Sequence, residues 1–318
     1  MMLPRLRQHI LPTCLVVVAL LGGGCAKSPA TGGAVRQFDA KRAFADLEMQ
    51  VNMGPRYPGS PGHVKLQDHL REQMHLLADE LQVQRFETST IFAKPKQKFQ
   101  FMNIIGRFAP NARGKVLALA AHFDTRPVAD QDRLSVNRKK PVPGANDGAS
   151  GVAVLLEIAR ALKAQPPPFP VELIFLDAED SGDEALGDPL FGFCLGARYF
   201  VAHIGNMAPD YVILLDMVGD QDLRLPRELN SLTAAPKLME QIYATGKKLG
   251  HPAFVPDSGP RLIDDHLPFI QANIPAVDFI DFDYPYWHTT QDLPEHCSPD
   301  SLQQVGETLL ALIANGIH

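Results

Sequence analysis

The chain has 318 residues, enough for one large α/β domain or two small ones. Hydrophobic residues make up 45% and charged residues 21%, an ordinary globular composition. The net charge of −6 and the lack of any basic run exclude a general nucleic-acid binder, because neutralising phosphates takes clustered Lys and Arg.

The N-terminus reads as a targeting segment. Arg5 and Arg7 precede a short apolar stretch, Leu15 to Leu21, and then Gly22-Gly23-Gly24-Cys25. The apolar stretch is too short to span a bilayer. The arrangement resembles a bacterial lipoprotein signal, although Leu21 stands four places before the cysteine where such signals carry Leu at three. The resemblance implies a signal peptide over residues 1–24, a lipidated tether over 25–37 starting at Cys25, and one domain over 38–318. Lys27 resembles the sorting signature of the outer membrane, so the expected location is the cell envelope, on the periplasmic face of the outer membrane. Losing residues 1–24 removes Arg5 and Arg7 and no acid, taking the charge from −6 to −8. Cys14 leaves with the signal. Cys194 and Cys297 remain, and two cysteines do not make a disulfide framework.

Helical spacing of Phe38, Ala43, Phe44, Leu47 and Val51 predicts a helix over 38–53. Residues 54–62 are a Gly/Pro loop, and a second helix runs from about His63 to Leu81. Strands follow at about 83–90 and 98–106, then a continuous apolar strand at 115–121 that delivers His122. Residues 127–146 form a long polar loop, ending in Gly144-Ala-Asn-Asp147-Gly148. A helix covers about 151–164, a strand 171–177, an acidic Gly-rich loop 181–192 and a helix 194–204. Then come a strand at 211–216, helices at 236–249 and 264–272, and a strand at 276–281. Ser298-Pro299 opens the last helix. Strands alternate with helices after residue 115. That predicts an α/β fold, a three-layer α/β/α sandwich with a mixed, mostly parallel central sheet and an antiparallel edge formed by the first two strands.

In such sheets ligands bind beyond the carboxyl ends of the strands. His122, Asp177–Asp180, Asp216 and His288 all fall there, and Asp147 sits on a Gly-rich turn before a helix. Zinc takes His nitrogen and carboxylate oxygen, and catalytic sites keep a position open. Taken singly, each residue has a plainer explanation. Asp147-Gly148 could be a turn with Ser150 capping the helix, Glu179-Asp180 a solvated pair, and Asp264 a helix cap. The ordered series is what favours a metal site, with Glu179 beside a ligand as a proton shuttle.

The order His122, Asp147, Glu179-Asp180, Asp216, His288 resembles the zinc aminopeptidase clan that includes the glutaminyl cyclases, across roughly residues 38–318. The resemblance implies a zinc exopeptidase-like fold, with Asp147, Asp180 and His288 as ligands of one zinc per chain. In the two-zinc peptidases of the clan, His122 and Asp216 would hold a second metal. It also implies a cis peptide after Asp147. Two features resemble the cyclase branch. Trp287, the one tryptophan of the chain, stands before His288, and Asp264-Asp265-His266 replaces the peptidases' Ser-Asp-His. Cyclase likeness implies catalytic roles for Glu179, Asp216 and Asp264, and substrate binding by Trp287, Phe193 and Asp264. It implies conversion of N-terminal Gln to pyroglutamate, a peptide or protein partner, no nucleic acid, membrane contact only through the lipid anchor, and a monomer. The chain departs from animal cyclases in having Asp180 for Glu, Phe191 and Phe193 where a second pocket Trp stands, and no cysteine pair near the metal. The competing expectations are a two-zinc aminopeptidase, or a non-catalytic lipoprotein that binds peptides, against which Glu179 argues.

Overall fold

Each of the four parallel strands of the central sheet sends alternate residues to opposite sides, and both sides are largely apolar. The structure, a computed structural model, describes residues 37–183, 192–205 and 208–317. The expected signal and nearly all of the tether, and Phe191, lie outside them. In β3 (Leu117–His122), Leu117, Leu119 and Ala121 join one core cluster while Ala118 and Ala120 join another. The same alternation runs through β4 (Val171–Leu176), β5 (Tyr211–Asp216) and β8 (Ala276–Ile280). These four are parallel, in the spatial order β4-β3-β5-β8. β2 (Phe99–Phe108) adds antiparallel to β4, and β1 (Glu80–Thr88) antiparallel to β2, so the expected antiparallel edge is present.

Helices α1 (Ala40–Asn52), α2 (Pro61–Leu77), α3 (Ala149–Ala164), α6 (Pro236–Leu249) and α8 (Pro299–Asn315) share the larger core. Helices α4 (Leu195–Ala202) and α7 (His266–Gln271) bury the opposite face. The three-layer sandwich with a mixed, mostly parallel sheet is therefore the observed fold. The register pairs His122 with Leu176 and Asp216 with Ile280, so the carboxyl ends of the parallel strands open at one edge.

Local differences have local causes. α2 stops at Leu77 rather than near Leu81, because Ala78 is extended and Glu80 already pairs with Arg107 in the sheet. α4 begins one residue late because Cys194 is left-handed. Short pieces escaped the sequence pattern: α5 (Leu229–Ala234) and a small parallel pair, β6 (Leu225–Arg227) with β7 (Phe254–Ser258). Three- and five-residue strands broken by Pro226 and Pro256 carry too little periodicity to read. The last helix starts as expected, with the Ser298 hydroxyl accepting from Asp300 N at 3.1 Å and Pro299 in the first turn.

Candidate active site

The turn that carries Asp147 is gripped from two sides. Arg56, fully buried, donates Nη1 to Pro143 O at 2.5 Å. Asp292, also fully buried, accepts from the backbone N–H groups of Asn146 (2.8 Å) and Asp147 (3.1 Å) and from the Tyr284 hydroxyl (2.9 Å). Gly148 then takes φ +91°, and a Cβ there would lie 2.6 Å from Asp124 O and 3.3 Å from His122 Cε1. Only glycine fits that bend. The expected cis peptide at Asp147–Gly148 is not found, since all described peptide bonds are trans. The left-handed Gly148 supplies the reversal instead. Ser150 does not cap α3. It lies within the helix, donating to Asn146 O and accepting from Val218 N.

The Asp147 carboxylate ends between two imidazoles. Its Oδ1 is 3.3 Å from His122 Nε2, and its Oδ2 is 3.7 Å from His288 Nε2. His122 Nε2 also lies 3.1 Å from Asp216 Oδ1, and His288 Nε2 lies 3.3 Å from Asp180 Oδ2. Two buried triads result, His122–Asp147–Asp216 and Asp147–Asp180–His288, whose donor atoms lie within 4.8 Å of one another in each. The five candidate metal donors of the sequence series thus converge in the fold.

Further acids stand behind both imidazoles, the arrangement metal-site histidines usually have. Asp124 Oδ1 lies 3.6 Å from His122 Nδ1, and Asp130 Oδ1 lies 3.4 Å from His288 Nδ1. The two oxygens of Asp124 also accept from the backbone N–H groups of Glu179 (2.9 Å) and Asp180 (3.2 Å). Arg126 Nη1 donates to Asp180 Oδ1 at 2.9 Å and its guanidinium also grips Asp130. Asp180 Oδ2 is buried and makes no well-aligned hydrogen bond among the described residues; it faces His288 Nε2 at 3.3 Å, with Asp147 in the same triad. An unsatisfied buried carboxylate oxygen facing an imidazole and a second carboxylate is what a zinc ligand set presents before its ion. The electrostatics agree. Burial would lower His288, but Asp180 and Asp130 outweigh it and push the imidazole up to about 9. His122 is raised well above its usual value against the same burial, chiefly by Asp216. This pocket attracts positive charge, and zinc fits its donors. Three residues here hold left-handed backbone despite having a Cβ: Ala178 (φ 59°), Met217 (φ 47°) and His288 (φ 52°). Such strain collects at functional sites.

Next to the triads lies a cavity of about 300 Å³. Its polar lining includes Arg126, His288, Glu179, Asp180, Asp216 and Asp264, and its apolar lining Met217, Phe193, Leu262, Ile280, Phe282 and Trp287. Burial, with the charges of Asp180 and Asp264, pushes the Glu179 carboxyl well above the usual carboxylate range. Burial, with Asp216 and Asp265, does the same to Asp264. Asp264 is 2% exposed; its Oδ1 accepts from Asp265 N at 2.5 Å, and its carboxyl lies against that of buried Asp278. It does not cap α7, whose N-cap is Asp265 without a side-chain bond. Trp287 stacks on the His288 ring, centroids 3.9 Å apart, and leans on Phe282. Behind Asp264, His266 sits between Glu228 (3.3 Å) and Asp278 (3.4 Å).

Sequence reasoning missed Asp124, Arg126, Asp130 and Asp292. The His122-Phe-Asp-Thr-Arg126 stretch offered a signal, since an acid and a cation directly after a ligand are candidates for its support. Asp292 offered none, because the Asn146 and Asp147 N–H groups it holds lie about 145 residues away. Cys194 and Cys297 are both free and buried.

Residues 103–313 match the sequence model of "Peptidase family M28". A glutaminyl cyclase of Tannerella forsythia aligns with a TM-score of 0.81 at 35% identity, covering 88% of this chain and 99% of that one. A Zn-dependent exopeptidase of Parabacteroides distasonis aligns with a TM-score of 0.83 at 34% identity, covering 89% and 100%. The glutaminyl-peptide cyclotransferase of Bos taurus is 26% identical over 304 residues, covering 83% of this chain and 79% of its own length.

Proposed function

The chain belongs to peptidase family M28, and from that premise we propose that it is a zinc-dependent glutaminyl-peptide cyclotransferase. It converts an N-terminal glutaminyl residue to pyroglutamate and releases ammonia. The observation that carries this reading is the cavity beside the metal donors, where Glu179 and Asp264 share one small space roofed by Trp287. Two carboxyls at that spot suit one folded-back side chain, with an amine at one end and a carboxamide at the other.

Asp147, Asp180 and His288 would hold the zinc, which when bound would supply a Lewis acid to the side-chain carbonyl. Asp264 accepts from the carboxamide nitrogen and fixes the amide over its own amine, and orientation of this kind supplies much of a rate. Glu179 takes a proton from the α-amine as its nitrogen attacks the carbonyl carbon. Glu179 then gives that proton to the departing nitrogen, so the C–N bond of the carboxamide breaks and ammonia leaves. The high proton affinity that burial gives Glu179 suits this shuttle. Asp216 joins the same acid network and steadies His122. Trp287 and Phe193 narrow the cavity and keep out water, the competing nucleophile. The N-terminal pattern supports export and lipidation at Cys25, so the peptides would be met in the cell envelope.

A specific observation favours a second reading. Asp147 turns one oxygen to each imidazole, so His122 and Asp216 complete the donor set of a two-zinc aminopeptidase. The deciding experiment measures ammonia release from a Gln-initiated peptide against hydrolysis of an aminoacyl anilide, each with and without a chelator.

A further inference from the structure

Cys194 has no part in the chemistry above, yet its thiol is buried against the shuttle acid. Its Sγ lies 3.7 Å from Glu179 Oε1 in the geometry of a donated S–H bond. The backbone fixes this approach. Cys194 N donates to Glu179 O at 2.9 Å, Leu195 N donates to Ala178 O at 3.0 Å, and Phe193 bridges Asp180. Residues 193–195 therefore run alongside 178–180. Both sides of the clasp are left-handed, at Ala178 (φ 59°) and Cys194 (φ 55°), a conformation unfavourable for any residue with a Cβ. Ordinary loop closure does not ask for two such residues face to face. Their effect is to hold the thiol against the Glu179 carboxyl at the head of α4, where the buried Asp265 carboxyl also faces it.

We propose that Cys194 is a positioning residue whose thiol donates to Glu179 Oε1 and so presents Oε2 to the reacting amine. The choice of donor has a chemical sense. A Lys or Arg here would hold Glu179 permanently ionised, whereas a neutral thiol orients it and leaves it free to take and give a proton. Burial pushes the thiol itself well up, so it stays a donor. The inference rests on the reading of Glu179 as the shuttle.

The test uses the full chain with Cys194→Ala and Cys194→Ser, followed by ammonia release from a Gln-initiated peptide, zinc content and Tm. Cys194→Ala is expected to lower kcat about tenfold, the effect of one lost hydrogen bond to an ionisable group, with KM and zinc content unchanged. Cys194→Ser keeps a donor and is expected to recover kcat to within about threefold of wild type. If Ala does not accumulate as folded protein, Cys194→Gly suits the left-handed backbone and carries the same expectation. Wild-type kcat in the Ala variant overturns the assignment, as does an equal loss with Ala and Ser, or a loss confined to KM or zinc. A wild-type chain that releases no ammonia would instead defeat the cyclase reading itself.

Discussion

Asp264→Asn changes one atom at the residue that separates the two readings of this site. Asp264 Oδ1 accepts from Asp265 N at 2.5 Å, and an asparagine oxygen can do the same. The residue lines the cavity, with its carboxyl also against that of Asp278. Asparagine places an NH₂ donor there, facing the donors of the substrate carboxamide. Leaving a buried donor facing another donor costs about 1.5–3 kcal/mol. At one factor of ten per 1.36 kcal/mol, kcat/KM should fall roughly 10- to 150-fold. Folding should not suffer. Burial first, then Asp216 and Asp265, raise the carboxyl well above its unfolded value. Such a group favours the fold when protonated, at low pH, and disfavours it as pH rises past the unfolded value. Asparagine cannot ionise, so Tm at pH 8 should be equal to or above that of wild type. The assay is ammonia release at pH 8 with zinc content and Tm on the same preparation. Undiminished cyclisation, or a loss of activity that tracks a loss of zinc, would refute the reasoning.

Glu179→Gln should keep its zinc, because Asp180 remains the neighbouring donor, and lose about 10²–10⁴-fold in kcat, the usual span for a general acid–base group. Gly148→Ala should destabilise the chain by roughly 1–2 kcal/mol from the left-handed backbone alone. The added methyl, 2.6 Å from Asp124 O, should also dislodge Asp147, so metal analysis should find zinc depleted. Trp287→Ala removes the ring stacked on His288, and steady-state kinetics should show a higher KM with zinc retained at high metal concentration.

Much of the site was legible because its donors sit where periodic pattern stops. The apolar run of β3 ends at His122, that of β4 just before Asp177, and β5 at Asp216, so pattern alone placed three loops at one sheet edge. Glycines around Asp147 announced a sharp bend. The kind of bend was not legible, since a left-handed glycine and a cis bond solve the same steric problem with the same residues. Nor was the packing that aims the ligands. Arg126, Asp130 and Asp292 act through partners distant in sequence or folded over by a loop, and no periodicity marks them. Ser150 and Asp264 looked like caps by type, but Ser150 is committed by a tertiary bond from Val218 N, and Asp264 turns its Oδ1 onto the N–H of Asp265.

The most direct test of the central claim sets zinc content beside product chemistry. Purified chain is dialysed against chelator, titrated with zinc, and offered a Gln-initiated peptide and an aminoacyl anilide at each step. The account predicts that ammonia release recovers fully at about one zinc per chain, as a single three-ligand catalytic site requires, with the anilide left intact. Recovery only at a second equivalent, together with cleavage of the anilide, would contradict it and identify a two-zinc aminopeptidase.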